Sequence, residues 1–152
     1  FWTVSTEGGV EEPMPLPRAY QGKISPDGTR IAYRLNNSWD EERRNYRGGQ
    51  NRPIWIVDLK TYDLVSPPWT DSKDTMPVWV GDSVYFISDR DGVANVYRVT
   101  LAGDLQQLTT VSTGVSGITG SSPALTVASR QPARPRSSRR WSRFRAATGR
   151  SG

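Results

Sequence analysis

Two short acidic motifs are the best candidates for chemistry in this sequence. Asp89-Arg90-Asp91-Gly92 has the alternating carboxylates of a calcium loop. A calcium loop also needs further oxygen ligands and a bidentate glutamate downstream, and none follows nearby. Ser25-Pro26-Asp27-Gly28 offers a serine hydroxyl, but it lacks the spacing of a nucleophile elbow. Both motifs are therefore interpreted as β-turns, in which Pro presets φ and Gly tolerates positive φ.

Two residue types with catalytic chemistry are missing from the 152 residues, which contain neither Cys nor His. Their absence excludes disulfides, thiolate nucleophiles, Cys/His zinc sites and a histidine general base. We therefore expect no catalytic, cofactor-binding or metal-binding residue in this chain, and no cofactor. No run of about 18 apolar residues is present, so we expect no membrane-spanning helix. Asn36-Asn37-Ser38 is a formal glycosylation sequon, which we discount because no secretion signal is visible.

A charged and glycine-containing stretch lies between two of the predicted strands. Asp40-Glu41-Glu42-Arg43-Arg44 is interpreted as the solvated face of a loop. The alternative is that this loop lines a channel or contacts a partner subunit. Tyr46-Arg47-Gly48-Gly49 follows, and its Gly pair is expected to let the loop turn back into the next strand. What Arg43, Arg44 and Arg47 touch does not follow from the sequence.

Charge divides the chain into two parts. Residues 1–110 hold all 15 acidic residues and 12 Lys and Arg, a balance of −3. Residues 111–152 hold eight Arg and no acid, a balance of +8. This tail is built mainly of Ser, Thr, Ala, Gly, Pro and Arg, and it has too little apolar surface to offset the entropy of ordering it. We therefore predict a partial folded domain over 1–110 and a disordered basic tail over 111–152.

Three interpretations of the tail remain open. It could be a nucleic-acid-binding arm with Trp141 and Phe144 as stacking groups, but it has no Lys and no folded basic surface beside it. It could be a solvated native tail. The favoured interpretation is a shift of reading frame near residue 110, because the sudden loss of Lys and acidic residues is typical of a GC-rich gene translated in the wrong frame. We expect no nucleic-acid partner.

The first 110 residues consist of short apolar runs separated by turn signals, which is typical of β-strands. Ile54-Trp55-Ile56-Val57 and Val84-Tyr85-Phe86-Ile87 are continuous apolar runs, as expected for strands that are covered on both faces. The predicted strands are Phe1–Val4, Glu12–Leu16, Arg30–Leu35, Pro53–Leu59, Leu64–Val65, Met76–Val80, Ser83–Ile87, Asn95–Val99 and Leu105–Thr109.

The strands repeat with a period near 40 residues. Trp55 and Tyr97 are 42 residues apart, and so are Leu59 and Leu101. A repeat of this length with four short strands predicts β-propeller blades. The earlier strands are 53 residues apart, so the first unit carries about 11 extra residues, which fall within 36–52. We predict an all-β fragment of about two and a half four-stranded antiparallel blades. Because Phe1-Trp2-Thr3-Val4 reads as the middle of a strand, we also expect a piece of a longer protein.

The order of these motifs resembles a known family. The segment from Ser25 to Tyr33 looks like the blade repeat that TolB-type and tricorn-type propellers share. Four further segments make the resemblance more specific. They are the inserted Asn45-Tyr46-Arg47-Gly48-Gly49, the Ile54–Leu59 strand, the Pro77–Phe86 hairpin and Ser88–Gly92. Together they resemble the amino-terminal six-bladed propeller of the tricorn protease family over about residues 1–109. Where that family would start another blade, the sequence from Val111 onward does not supply one.

The resemblance implies a function that the residues themselves do not show. Tricorn proteases are large cytoplasmic serine peptidases, often hexameric, that cut peptides released by upstream proteases. Their catalytic serine and histidine lie in a carboxy-terminal domain, and no catalytic residue of the family maps onto this sequence. The resemblance therefore implies a scaffold or substrate gate within a homo-oligomeric cytoplasmic enzyme with peptide substrates.

Two alternatives remain at this stage. A TolB-like propeller would be a protein-binding module and predicts an upstream export signal. A propeller that caps a prolyl-oligopeptidase-type hydrolase predicts a downstream α/β-hydrolase domain. For the isolated chain we expect poorly cooperative thermal unfolding, since blades stack face to face and a single unit cannot bury its own faces.

Overall fold

The computed structural model describes residues 1–35, 46–49, 51–115 and 124–128 of the chain. Ten β-strands and no helix are present in these ranges. The strands are β1 Trp2–Thr3, β2 Glu12–Pro13, β3 Ala19–Ile24, β4 Arg30–Leu35, β5 Trp55–Asp58, β6 Leu64–Val65, β7 Asp74–Val80, β8 Ser83–Ser88, β9 Asn95–Thr100 and β10 Leu105–Gln107.

The strands form three antiparallel sheets in chain order. The pair β1–β2 makes a two-stranded sheet, β3-β4-β5-β6 makes what we call the first sheet, and β7-β8-β9-β10 makes the second sheet. Each strand of a four-stranded sheet pairs with its neighbour in the sequence, so the connections alternate between the two ends of the sheet. The prediction of four-stranded antiparallel units preceded by half a unit is confirmed.

The first strand of each four-stranded sheet carries the same bulge. The register between β3 and β4 shifts between Tyr20 and Lys23, and that between β7 and β8 shifts between Thr75 and Val78. At these shifts Gln21 has a φ of 51° and Met76 a φ of 54°. A bulge with a left-handed residue bends a strand and increases its twist, so the two first strands are shaped alike.

The main core lies between the two four-stranded sheets. Alternate residues of β4 and β5 face the second sheet. Among them, Ala32 and Ile56 pack in one cluster with Val84, Phe86 and Val99 of the second sheet. All of these side chains are buried. Because burial of apolar surface is the dominant favourable contribution to folding, this contact stacks one sheet on the other.

The opposite face of the first sheet packs against the start of the chain. Ile31, Tyr33 and Val57 alternate with the residues that face the second sheet, and they form a second cluster with Leu16. Phe1 meets the Tyr33 ring edge-on, with centroids 6.4 Å apart. Both faces of the first sheet are thus covered, which explains its nearly continuous apolar strands.

The observed strands fit most of the predicted ranges, with one omission. The bounds of Arg30–Leu35 and Leu64–Val65 were predicted correctly, and the other predicted strands differ by a few residues at their ends. The strand Ala19–Ile24 was not identified from the sequence. Its bulge interrupts the alternation of apolar and polar residues, so the pattern that marks a strand is lost.

Within the described ranges, no helix is long and apolar enough to cross a membrane. Of the predicted tail, the structure describes only residues 111–115 and 124–128. The first of these segments stays bonded to the second sheet, since Val115 N donates to Ala94 O at 2.7 Å. The division at residue 110 and the disordered or frame-shifted nature of 111–152 stay predictions.

Candidate functional site

The Ser25–Gly28 motif forms the turn between β3 and β4. Ser25 Oγ donates to Asp27 Oδ1 at 2.5 Å, and Thr29 N donates to the same oxygen at 3.0 Å. These donors, with the hydrogen bond from Ser25 the strongest influence, lower the pKa of Asp27 to about 2. Gly28 has a φ of 75°. The hydroxyl of Ser25 is therefore used to build the turn, and the turn interpretation of the motif is confirmed.

The Asp89–Gly92 motif likewise forms a turn, between β8 and β9. Gly92 N donates to Asp89 O at 3.0 Å, and Gly92 has a φ of 101°. Tyr97 Oη donates to Asp91 Oδ2 at 2.5 Å, and burial of the Tyr97 ring raises the pKa of its hydroxyl. The structure places no three Asp or Glu side chains together as a metal site anywhere in its described ranges.

The end of the inserted loop lies on this turn of the second sheet. Arg47 donates from Nη1 to Asp89 Oδ1 at 2.8 Å and from Nη2 to Asp89 O at 2.6 Å. Lys73 N donates to the same carboxylate at 2.8 Å. Asn51 Nδ2 donates to Asp71 O at 2.7 Å, on the connection between the two sheets. The loop of the first sheet is thus held by one contact to a turn of the second sheet and one to the connection between the sheets.

The loop turns back at its Gly pair, as predicted, but without left-handed backbone. Asn51 N donates to Gly48 O at 3.0 Å, so the loop does turn back here. Neither Gly48 nor Gly49 has a positive φ. A Cβ at Gly48 would instead lie 2.5 Å from Tyr46 Oη. A side chain at position 48 would therefore require the end of the Tyr46 side chain to move.

A buried ion pair fixes the corresponding end of the second sheet. Arg90 Nη2 lies 3.0 Å from Asp74 Oδ2, and the two side chains are 5% and 1% exposed. The guanidinium also lies over the Phe86 and Tyr97 rings, 5.6 and 5.2 Å from their centroids. Ser72 Oγ donates to Asp74 at 3.1 Å. Burial raises the pKa of Asp74, and this outweighs the opposing effect of Arg90.

A set of hydrogen bonds joins the first strands of the two sheets. Arg34 Nη1 donates to Thr75 Oγ1 at 2.8 Å, and Thr75 Oγ1 donates to Gln21 Oε1 at 3.1 Å. Trp79 Nε1 donates to Lys23 O at 2.8 Å, also across the gap between the sheets. Sequence reasoning missed these contacts because they join residues that are 41 to 56 positions apart.

Between the two first strands lies a groove of 610 Å³, which we call the inner groove. Its walls include Gly22 and Lys23 of β3 and Met76, Pro77 and Trp79 of β7. Residues 125–127 also line it, and Ala124 N lies 3.2 Å from Met76 Sδ. The volume falls in the range of small-ligand sites, and the lining is mostly apolar.

Several residues of the sequence analysis lie outside the described ranges. They are Asn36–Ser38, Asp40–Arg44 with Arg43 and Arg44, and Trp141 and Phe144 of the tail. Of Arg43, Arg44 and Arg47, whose contacts did not follow from the sequence, the structure places Arg47, on Asp89. The expectation that the chain has no catalytic, cofactor or metal residue stays a prediction.

Comparison with known proteins identifies a family for this chain. Residues 1–117 match the tricorn protease N-terminal beta propeller domain. A tricorn protease homolog of Saccharolobus solfataricus is 33% identical over 118 residues. That alignment covers 71% of this chain and 10% of the relative, so the chain spans about one tenth of that protein's length.

A solved structure supports the same fold. A protein from Agrobacterium tumefaciens described as TolB superposes with a TM-score of 0.56 and 22% identity. The match covers 74% of this chain and 38% of that one. At this level of identity the likeness concerns the fold alone, and it agrees with the stacked four-stranded sheets. The prediction of a β-propeller fragment is confirmed.

Proposed function

Because this chain belongs to the family of tricorn protease N-terminal β-propeller domains, we propose that it is the scaffold and substrate gate of a larger peptide-degrading serine peptidase. In this proposal the chain supplies part of the wall along which peptides pass. The catalytic residues belong to another part of the parent protein. The parent is proposed to act in the cytoplasm as a homo-oligomer.

The observation that supports a gating role is the position of the first strands. β7 contacts both β3 and β4, so the first strands of successive sheets lie beside each other. Each first strand pairs with one neighbour, β3 with β4 and β7 with β8, and its other edge is unpaired within the sheet. In a propeller these edges surround the central channel. A peptide in the channel would meet the inner groove.

The polar contacts support the scaffold part of the proposal. Arg34, Thr75 and Gln21 fix the spacing of the two first strands, while Arg47 and Asp89 hold the inserted loop on the turn between β8 and β9. A wall that guides a substrate must keep its shape, and contacts made from one sheet to the next restrict their relative movement.

The test uses the full-length parent enzyme with a bulky substitution in the inner groove. Val78→Trp would narrow the channel beside β7, whereas Lys60→Trp places the same bulk on an exposed turn away from the groove. We expect Val78→Trp to slow hydrolysis of long peptides severalfold and to leave a short fluorogenic peptide almost unchanged. Lys60→Trp should change neither rate.

Two outcomes contradict the proposal. Equal loss for long and short peptides would show that the substitution acts on folding or catalysis rather than on passage. A parent protein without a downstream peptidase domain would remove the enzyme altogether. The TolB-like alternative, which the structural neighbour favours only through its fold, predicts that second outcome together with binding of a protein partner.

A further inference from the structure

The inner groove has a composition that suits a particular kind of ligand. Lys23 is the only charged residue among the described residues that line it. Ile24, Val78 and Trp79, which are exposed or half-buried, supply a largely apolar wall, and the Trp79 indole N–H already donates to Lys23 O. Apolar side chains gain most from entering such a site, whereas a carboxylate placed against these apolar side chains, away from Lys23, would lose its hydration without a compensating partner.

The backbone of β7 points to contact through side chains rather than strand pairing. Pro77 has no N–H group, and the bulge at Met76 interrupts the regular edge of the strand. Proline and bulges are features that discourage an added strand at an exposed edge. An extended chain lying in the groove would therefore be held mainly by its apolar side chains.

One segment of the chain itself already lies against this groove. Residues 124–128 have the sequence Ala-Leu-Thr-Val-Ala, which is uncharged and mostly apolar. Leu125, Thr126 and Val127 line the groove, and the Ala124 amide lies on Met76 Sδ. Only Ala124 and Leu125 are half-buried, and the next three residues are exposed. The segment is thus loosely seated, and 610 Å³ of the groove remains beside it.

We propose that the inner groove binds extended, uncharged peptides with apolar side chains, and that in this chain, whatever the origin of its 111–152 tail, residues 124–128 are an intramolecular occupant which such peptides displace. This inference rests on the proposed function, because it names the ligand class for the proposed channel wall. An occupant tethered to the same chain competes with every added peptide, so it lowers the apparent affinity of the groove.

The first experiment locates the segment in solution. Since the chain has no cysteine, Thr126→Cys provides a single site for a nitroxide label, and Thr126 is exposed, so the fold tolerates the change. We expect the label to broaden the amide signals of Gly22 and Val78 relative to the reduced label. Unchanged signals at both residues would overturn the intramolecular part of the proposal.

The second experiment measures displacement in the labelled chain. The probe is the blocked tetrapeptide acetyl-Ala-Leu-Thr-Val-amide, and the matched control peptide has Asp in place of Leu and Val. We expect the probe to restore the Gly22 and Val78 signals and the control peptide to leave them broadened. If both peptides act alike, or neither acts, the groove does not select apolar peptides.

A variant separates competition from simple binding. Leu125→Asp with Val127→Asp places two carboxylates against the apolar wall, so the segment should leave the groove. We expect the probe to bind this double variant at least about fivefold more tightly than the unsubstituted chain. Equal affinity for the two chains would contradict an intramolecular occupant. Because these measurements use the isolated chain and no catalysis, their failure leaves the hydrolysis test of the parent enzyme independent.

Discussion

The first and second sheets share strand order, direction and bulge, yet their second and third strands are joined in different ways. In the second sheet a short turn joins β8 to β9, and the buried pair of Asp74 and Arg90 fixes that end of the sheet. In the first sheet the longer connection reaches across to the neighbouring sheet through Arg47. The same repeat is therefore stabilised within one unit in one case and between units in the other.

A second difference concerns one face of each sheet, the face that in the first sheet packs on the second sheet and the equivalent face of the second sheet. Ile56 of β5 and Arg98 of β9 occupy equivalent positions in their sheets. Ile56 pairs with Ala32 of β4, and Arg98 pairs with Tyr85, the corresponding residue of β8. Ile56 is buried against the second sheet, whereas Arg98 Nε is buried with no hydrogen-bond partner among the described residues. The two equivalent sheet faces thus differ in chemistry, although the strands that present them are alike.

The largest expected effect contrasts the two ion pairs. Asp74→Ala leaves the Arg90 charge buried without its partner, and we expect a loss of about 3–5 kcal/mol in the free energy of unfolding. Arg47→Ala removes a side chain that is 38% exposed, and we expect a loss of at most about 1 kcal/mol. Denaturant unfolding followed by circular dichroism measures both. Equal losses would mean that the loop contact stabilises the stack as strongly as the internal pair.

The next effect contrasts the two faces of the first sheet. Ile56→Ala opens a cavity in the core between the four-stranded sheets and should cost about 2–5 kcal/mol. Ile31→Ala makes the same change on the face covered by the two-stranded sheet, and we expect a loss at the lower end of that range. Thermal or denaturant unfolding of both variants checks this. A larger loss for Ile31→Ala would show that the two-stranded sheet is the more important neighbour.

A smaller effect contrasts the turns between the third and fourth strands. Gly103 has a φ of 91°, and the corresponding Tyr62 has a φ of 63°. Gly103→Ala should cost about 1–2 kcal/mol, because left-handed backbone is unfavourable for a residue with a Cβ. Tyr62→Asn should raise stability by up to about 1 kcal/mol, because asparagine tolerates this conformation better. Stabilisation by Gly103→Ala, or strong destabilisation by Tyr62→Asn, would contradict this explanation.

The smallest effect is a difference in acid sensitivity between the two turns that join a first strand to a second strand. The folded pKa of Asp27 is about 2 against an ordinary value of 3.8, so its contribution to stability is present above the ordinary value and is lost as the pH falls toward 2. Asp82 lies in the corresponding turn of the second sheet. We expect Asp27→Asn to flatten the decline of the melting temperature over this acidic range, with Asp82→Asn as the matched substitution in the other turn. A full decline in the Asp27→Asn variant would assign the acid sensitivity to other groups.

The sequence predicted those parts of the structure that depend on neighbours along the chain. The Ser25–Gly28 and Asp89–Gly92 turns follow from Pro, Asp and Gly in suitable order, and the strands at 30–35 and 64–65 follow from apolar runs between turns. The strand at 19–24 was missed because its bulge and its short Gly-containing sequence remove the alternation on which such predictions depend. The candidate site was missed for a different reason, since its residues come from two sheets.

By itself, the sequence determined the β-strand repeat, its period, the extra residues in one unit and the separation of charge between body and tail. Turn chemistry and apolar spacing are local, so they can be recognised without coordinates. The tertiary structure alone decided that Arg47 meets Asp89, that Arg34 reaches Thr75, and that β3 and β7 enclose a groove. These contacts depend on how one sheet stacks on the next, and the stacking distance and angle follow from side-chain packing across residues that are far apart in the chain.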